Sequence, residues 1–251
     1  MGEALRPVPA LMLFLATAWA AACSRGGAPA PSSNGPLEGR MGELRLEMVR
    51  RQIVGRGITD PVVVRAMGHV PRHRFVPEGL EAAAYGDQPL PIGHGQTISQ
   101  PFIVAFMAEA AEVEPGDRVL EIGTGSGYGA AVLAEMGAEV YTVEIVPELA
   151  EQARRALTDA GYGRVRVRTG NGWRGWPEAG PYDAVVVTAA PDQLPAALVE
   201  QLATGGRMVI PVGVDRQWLH VLRKTRGGIV EEDSLPVRFV PMVAEPPDTG
   251  R

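Results

Sequence analysis

The stretch Val119-Leu-Glu-Ile-Gly-Thr-Gly-Ser-Gly-Tyr128 constrains this chain more than any other. A run suited to a buried strand leads into three glycines at alternate positions, Gly123, Gly125 and Gly127, and then into a helix-forming segment. Glycine takes positive φ freely and puts no Cβ in the way of a ligand, so this is a strand, a ligand-cradling turn and a helix. The alternation then continues. Strands are expected at Arg118 to Ile122, Glu139 to Glu144, Val165 to Arg168, Asp183 to Thr188, Gly206 to Val212 and Trp218 to Lys224. Helices are expected at Tyr128 to Met136, Pro147 to Ala160 and Leu194 to Leu202. Strands separated by helices imply right-handed βαβ units and a mostly parallel sheet, an α/β fold of Rossmann-like type.

Upstream, apolar residues fall among charges from Glu43 to Arg56, at Leu44, Leu46, Met48, Ile53 and Val54, and predict an amphipathic helix that stops near Gly55 and Gly57. Asp60-Pro61 has the form of an N-cap followed by a first-turn proline, which opens a short helix over Val62 to Met67. Val70 to Pro101 carries five prolines and reads as irregular. A loop this long in a compact domain is usually functional or a lid. Phe102 to Val113 has helical length.

Among the 251 residues the formal net charge is −5 and no Lys/Arg block stands out, which disfavours a nucleic-acid partner. The single cysteine, Cys23, excludes an internal disulfide and a multi-cysteine metal site. His69, His73, His94 and His220 show no metal-ligand spacing, so no metal is expected. No apolar run reaches the roughly 18 residues of a spanning helix. Leu11 to Ala22 is instead a short apolar run with the length of a signal-peptide core, ending in Ala20-Ala21-Ala22-Cys23. That ending resembles a bacterial lipobox, with Ala20 where Leu is preferred; the resemblance implies a leader over 1–23, lipidation of Cys23 and a place in the cell envelope. The alternatives are a short N-terminal helix, or translation from Met41 or Met48 and a cytoplasmic protein. Residues 24–42 are mostly Gly, Pro and Ser and read as a tether. The folded domain is then 43–245, with a frayed tail over 246–251.

The turn is not a dinucleotide fingerprint, because Tyr128 stands where G-x-G-x-x-G needs its last glycine. G-x-G-x-G after acidic Glu121 resembles the first motif of the class I S-adenosylmethionine-dependent methyltransferases. The resemblance implies a mostly parallel seven-stranded sheet with helices on both faces, and S-adenosylmethionine held by Glu121, Gly123, Thr124, Gly125 and Gly127. Glu144, ending the next strand, could accept both ribose hydroxyls through its two oxygens, or be a solvated strand-end charge. Asn171-Gly172 stands where the family commonly has Asp against the adenine amino group; it could equally be an Asn-Gly turn.

The segment Pro89-Leu-Pro-Ile-Gly-His-Gly-Gln-Thr-Ile-Ser-Gln-Pro101 resembles, nearly letter for letter, the loop of protein-L-isoaspartate O-methyltransferases. The likeness runs from about Glu43 to Val243 and includes Arg51 to Ile58, Val70 to Pro77, Tyr182 to Ala190, Val209 to Gly213 and Leu235 to Pro241. It implies methylation of L-isoaspartyl carboxylates in damaged proteins, the ester then closing to a succinimide whose hydrolysis partly restores aspartate. It also implies that Ser99 is the catalytic residue, that Thr97 and Ile98 lie against cofactor and substrate, and that Gln217 lies near the cofactor. From the residues alone, Ser99 could cap the helix at Phe102, Gln217 could be a loop residue, and His94 a turn residue between glycines. Trp173 and Trp176 read as packing residues. A monomer is expected. Two other functions stay open: the same fold acting on another acceptor, or a non-catalytic binding module.

Overall fold

The computed structural model describes residues 35–245; the leader, Cys23, most of the tether and the tail lie outside the described residues. A helix, α1 (Gly35–Met48), opens the fold and continues through a π turn (Val49–Ile53) and a 3₁₀ turn (Val54–Arg56). It ends at Gly57, whose φ is 98°. The expected helix starts earlier than Glu43, so residues 35–42 are helical rather than tether. Its buried face also differs. Met41, Met48, Val49 and Ile53 are buried, while Leu46 and Val54 are 64% and 46% exposed. The π turn adds a residue to the helical period, so consecutive Met48 and Val49 both turn inward and the simple 3.6-residue pattern slips.

Asp60 caps α2 (Pro61–His69) as expected, its Oδ1 accepting from the Val62 and Val63 N–H groups at 2.7 and 3.1 Å. Such a cap contributes about 1 kcal/mol. The proline-rich stretch is more ordered than its composition suggests. It holds 3₁₀ turns at Arg72–Phe75 and Glu81–Ala83 and an antiparallel hairpin of β1 (Leu90–Gly93) and β2 (Gln96–Ile98). Gly93, His94 and Gly95 turn the hairpin with φ of 91°, 51° and 68°, so His94 is a turn residue. Leu90, Ile92 and Ile98 bury its inner side.

Helix α3 (Pro101–Ala110) leads to β3 (Arg118–Ile122), and the alternation then matches expectation closely. It runs α4 (Tyr128–Glu135), β4 (Glu139–Glu144), α5 (Pro147–Asp159), β5 (Arg166–Thr169), β6 (Tyr182–Val187), α6 (Ala196–Gln201), β7 (Leu202–Val212), β8 (Gln217–Thr225) and β9 (Gly228–Val237). These strands form one seven-stranded sheet in the order β5-β4-β3-β6-β7-β8-β9. The first five are parallel, while β8 and β9 add on as an antiparallel meander. Strand β9 carried no sequence signal, because almost all its side chains face solvent and only its backbone pairs.

Strand side chains alternate between two cores. Val119, Val140, Ala184 and Val186 face the helices α1 to α5. Leu120, Ile122, Tyr141, Val143, Val185 and Val187 face α6 and Trp176. The second face is thinner, since β5 connects to β6 through 3₁₀ turns at Gly172–Arg174 and Pro177–Ala179 instead of a helix. Trp176 packs there edge-on against Tyr141, with centroids 5.4 Å apart.

Candidate active site

Strand β3 lies between β4 and β6, so the chain leaves it in one direction and returns on the other side. Diverging loops at such a switch point open a crevice beyond the carboxyl ends of the strands. Here it is a cleft of about 620 Å³, part of it open to solvent. Gly123 and Gly125, the end of β4 with Glu144, Gly172 and Thr188 form its walls; Thr97 and the segment Val240 to Val243 close over it.

The glycine turn fits its place for separate reasons at each position. Gly123 has φ 94°, and a Cβ there would collide with Thr188 Oγ1. That hydroxyl lies 2.7 Å from the Gly123 carbonyl oxygen and ties the end of β6 to the turn. The Gly125 N–H donates to Glu144 Oε2 at 2.8 Å, and the Val146 N–H donates to Oε1 at 3.0 Å. Glu144 is therefore no free strand-end charge. It anchors the turn, and each oxygen keeps a lone pair for a ribose hydroxyl. Gly172 has no room for a side chain against Ile122 and Met242.

Several expected cofactor residues face elsewhere. Glu121 lies under the turn, 1% exposed, and does not line this cleft. Thr142 Oγ1 donates to its Oε2 at 2.6 Å, and the Thr124 hydroxyl lies 2.6 Å from Thr142 Oγ1. Burial, with a smaller contribution from the Glu144 charge and against the Thr142 hydrogen bond, pushes the Glu121 carboxyl up to about 8. It is a neutral acid at pH 7 that supports the turn from below. Thr124, 4% exposed, belongs to the same buried chain of hydroxyls. Gly127, with φ 87°, gives α4 room against Leu157 and also lies off the cleft. Asn171 caps the following 3₁₀ turn, its Oδ1 accepting from the Trp173 N–H at 2.9 Å. Its Nδ2 donates to the Ala244 carbonyl at 2.9 Å. The Asn-Gly turn forms, and each end of the amide keeps one further hydrogen-bonding position. Gln217 exchanges two hydrogen bonds with the Phe239 backbone, Nε2 to O at 3.1 Å and N to Oε1 at 2.6 Å. It holds the C-terminal wall in place rather than touching the cleft.

A second, wider groove runs beside the first. Arg56, Pro89, Phe102 and the segment Leu235 to Pro241 line it, and Thr97, Thr188, Val240 and Pro241 are common to both spaces. Ser99 faces this groove, just beyond β2. It is not the cap of α3. Gln100 occupies that position, with no side-chain cap bond. Ile98 is buried in the hairpin, whereas Thr97 is exposed on the shared wall. Neither Thr188 nor Val240 to Val243 was expected as a site residue; the signal for Thr188, Val240 and Pro241 was their place inside the family-like segments Tyr182 to Ala190 and Leu235 to Pro241. Among the described residues no group of three or more His, Cys, Asp or Glu could hold a metal.

A model of the protein-L-isoaspartate (D-aspartate) O-methyltransferase family matches residues 45–246. A protein-L-isoaspartate O-methyltransferase of Gloeobacter violaceus is 60% identical over 202 residues, covering 80% of this chain and 98% of that one. One from Anaeromyxobacter is 50% identical over 238 residues, covering 94% of this chain and 96% of its own. Among solved structures, a protein-L-isoaspartate O-methyltransferase superposes with a TM-score of 0.74 at 29% identity, over 82% of this chain and 67% of that chain. A Plasmodium falciparum protein of this kind, in complex with S-adenosyl-L-homocysteine, gives 0.70 at 27% identity, over 80% of this chain and 99% of that chain. With the turn, the hairpin and the two joined clefts in place, the chain belongs to the protein-L-isoaspartate (D-aspartate) O-methyltransferase family.

Proposed function

We propose that the protein transfers a methyl group from S-adenosylmethionine to the free carboxylate of L-isoaspartyl residues in damaged proteins. The observation that carries this is the junction of the two spaces. A cleft suited to a nucleoside meets an open groove suited to a peptide, and Thr97 and Thr188 form the shared wall. S-adenosylmethionine supplies an electrophilic methyl carbon on a cationic sulfonium. The residues fit it: Gly123, Gly125 and Gly172 line the cleft without side chains of their own, and Glu144 presents carboxylate oxygens to it.

The acceptor carboxylate has an ordinary pKa near 4 and is ionised at neutral pH. One of its oxygens forms the new C–O bond as the C–S bond breaks, and no proton moves. A general base is therefore unnecessary, and the chain's task is alignment and exclusion of water. Thr97 and Val240 to Val243 cover the junction, and the Ser99 hydroxyl orients the carboxylate. A hydroxyl suits this role, since an arginine would pair with the anion strongly and blunt it. Opposite charges cancel as the bond forms, so a drier junction favours the step.

The test is incubation of the full chain with methyl-labelled S-adenosylmethionine and two peptides differing only in isoaspartate against aspartate. Base-labile label on the isoaspartyl peptide alone is expected. Labelling of neither peptide, with S-adenosylhomocysteine binding intact, would point to another acceptor.

The leader supports a second proposal, that the protein is anchored in the cell envelope through a lipidated Cys23. Its support is the apolar run before Ala20-Ala21-Ala22-Cys23, and the Anaeromyxobacter match, which is too long to be confined to residues 45–246. Globomycin should block processing; an unprocessed protein in the soluble fraction would overturn it.

A further inference from the structure

Arg72 is the largest fully buried side chain outside the ordinary apolar core, at 0% exposure. It sits in the first 3₁₀ turn, and its donors reach both feet of the hairpin segment. Nε donates to the Ala84 carbonyl at 2.7 Å, and Nη2 donates to the Ser99 carbonyl at 2.7 Å. The guanidinium carbon lies 4.7 Å from the centre of the Tyr128 ring, and Tyr128 is the first residue of α4 after the glycine turn. One planar group therefore joins the Ser99 segment to the element that begins at the cofactor turn. No carboxylate pairs with it among the described residues, and its Nη1 has no hydrogen-bond partner. A buried cation without a counter-ion and with an orphaned donor is costly. The hairpin is also held without it, by Leu90, Ile92 and Ile98 and by the Gln52 Nε2 bond to the Tyr85 carbonyl at 2.8 Å. Packing alone does not account for an arginine there.

We propose that Arg72 is a positioning residue for methyl transfer, fixing the Ser99 peptide plane against the start of α4 and thereby aiming the Ser99 hydroxyl at the acceptor carboxylate. This rests on the role given to Ser99 above. The carbonyl held by Nη2 and the hydroxyl are substituents of the same residue, so a shift of the first displaces the second. Displacement of about 1 Å at a reacting pair can cost on the order of a hundredfold in rate. The fork geometry matters, since a lysine ammonium would keep the charge but could not span the Ala84 and Ser99 carbonyls in one plane.

The experiment is a double-mutant cycle of Arg72→Lys and Ser99→Ala, with Arg72→Gln as a second partner because it removes the buried charge. Each full-length variant is checked by cooperative melting and by S-adenosylhomocysteine affinity. Turnover on the isoaspartyl peptide is then measured. If Arg72 acts through Ser99, its replacement lowers kcat about tenfold or more in the wild-type background and less than about twofold when Ser99 is already alanine, with cofactor affinity unchanged. Equal losses in both backgrounds, a loss of cofactor affinity matching the loss of kcat, or failure of both Arg72 variants to fold would overturn the inference and leave Arg72 a residue of the fold. Full turnover by Ser99→Ala alone would instead sink the Ser99 reading, and the inference with it.

Discussion

The cofactor cleft is built on the ends of sheet strands, and the acceptor groove on a hairpin and a C-terminal segment. In the cleft, positions are set by the ends of β3, β4 and β6, whose ladder fixes the turn against Glu144 and Thr188. The sheet orders these atoms before any ligand arrives. In the groove, a two-stranded hairpin faces the segment Leu235 to Pro241, and neither belongs to the parallel sheet core. Their positions depend on long-range tethers, Arg72 to Ser99 and Gln217 to Phe239. Binding of a common small molecule asks for a rigid template, while accepting many damaged proteins asks for an open, adjustable trough.

The difference can be tested at both ends. The largest effect is expected from Gly123→Ala, which adds a Cβ against Thr188 and holds alanine at a φ of 94°. Calorimetry should show S-adenosylhomocysteine binding weakened about a hundredfold, ~3 kcal/mol. Unchanged binding would mean that the turn is not a rigid template. Next comes Ser99→Ala. Loss of a hydrogen bond to a charged group predicts a kcat lower by about 10- to 100-fold, with cofactor affinity unaltered. Equal losses in both would place Ser99 on the cofactor side.

Gln217→Ala should act on the shared wall, freeing Phe239 and loosening Val240 to Val243. Raised KM for both peptide and S-adenosylmethionine is expected, by about fivefold each, the worth of roughly one hydrogen bond. A rise for the peptide alone would show that the two spaces move independently.

The smallest effect concerns the support under the turn. The Glu121 carboxyl is raised in the fold to about 8 from an ordinary 4.5. Between those values the native state binds more protons than the unfolded one, so stability falls as pH rises through that window. Below the lower value both states are protonated and the penalty is absent. Above the upper value it is complete. Glu121→Gln should abolish this dependence and gain in melting temperature on the wild type as pH rises from 5 to 8. A parallel shift of both proteins with pH would show that Glu121 stays in one protonation state.

The same contrast separates what was legible from what was not. The alternation from Arg118 to Lys224 could be read because strands buried on both faces and the helices between them leave periodic apolar patterns. The hairpin could not, because its prolines and glycines hide an alternation only a few residues long. Strand β9 was hidden too, since a solvated edge strand owes its pairing to backbone and leaves little apolar trace. At the site, the family motifs located Gly123, Gly125, Thr97 and Ser99 at the two spaces. They did not reveal that Asn171 and Gln217 bond to neighbouring loops, since an amide looks the same whether it faces a ligand or backbone.

By itself the sequence determined the α/β class, the glycine turn and the family. Each of these rests on local periodicity or on contiguous residues. Only the tertiary structure decided that Glu121 lies beneath the turn as a neutral acid, that Glu144 anchors that turn, and that Arg72 reaches Ser99 across 27 positions of chain. Those roles depend on desolvation and on hydrogen bonds between distant segments, and neither is written in the spacing of residues along the chain.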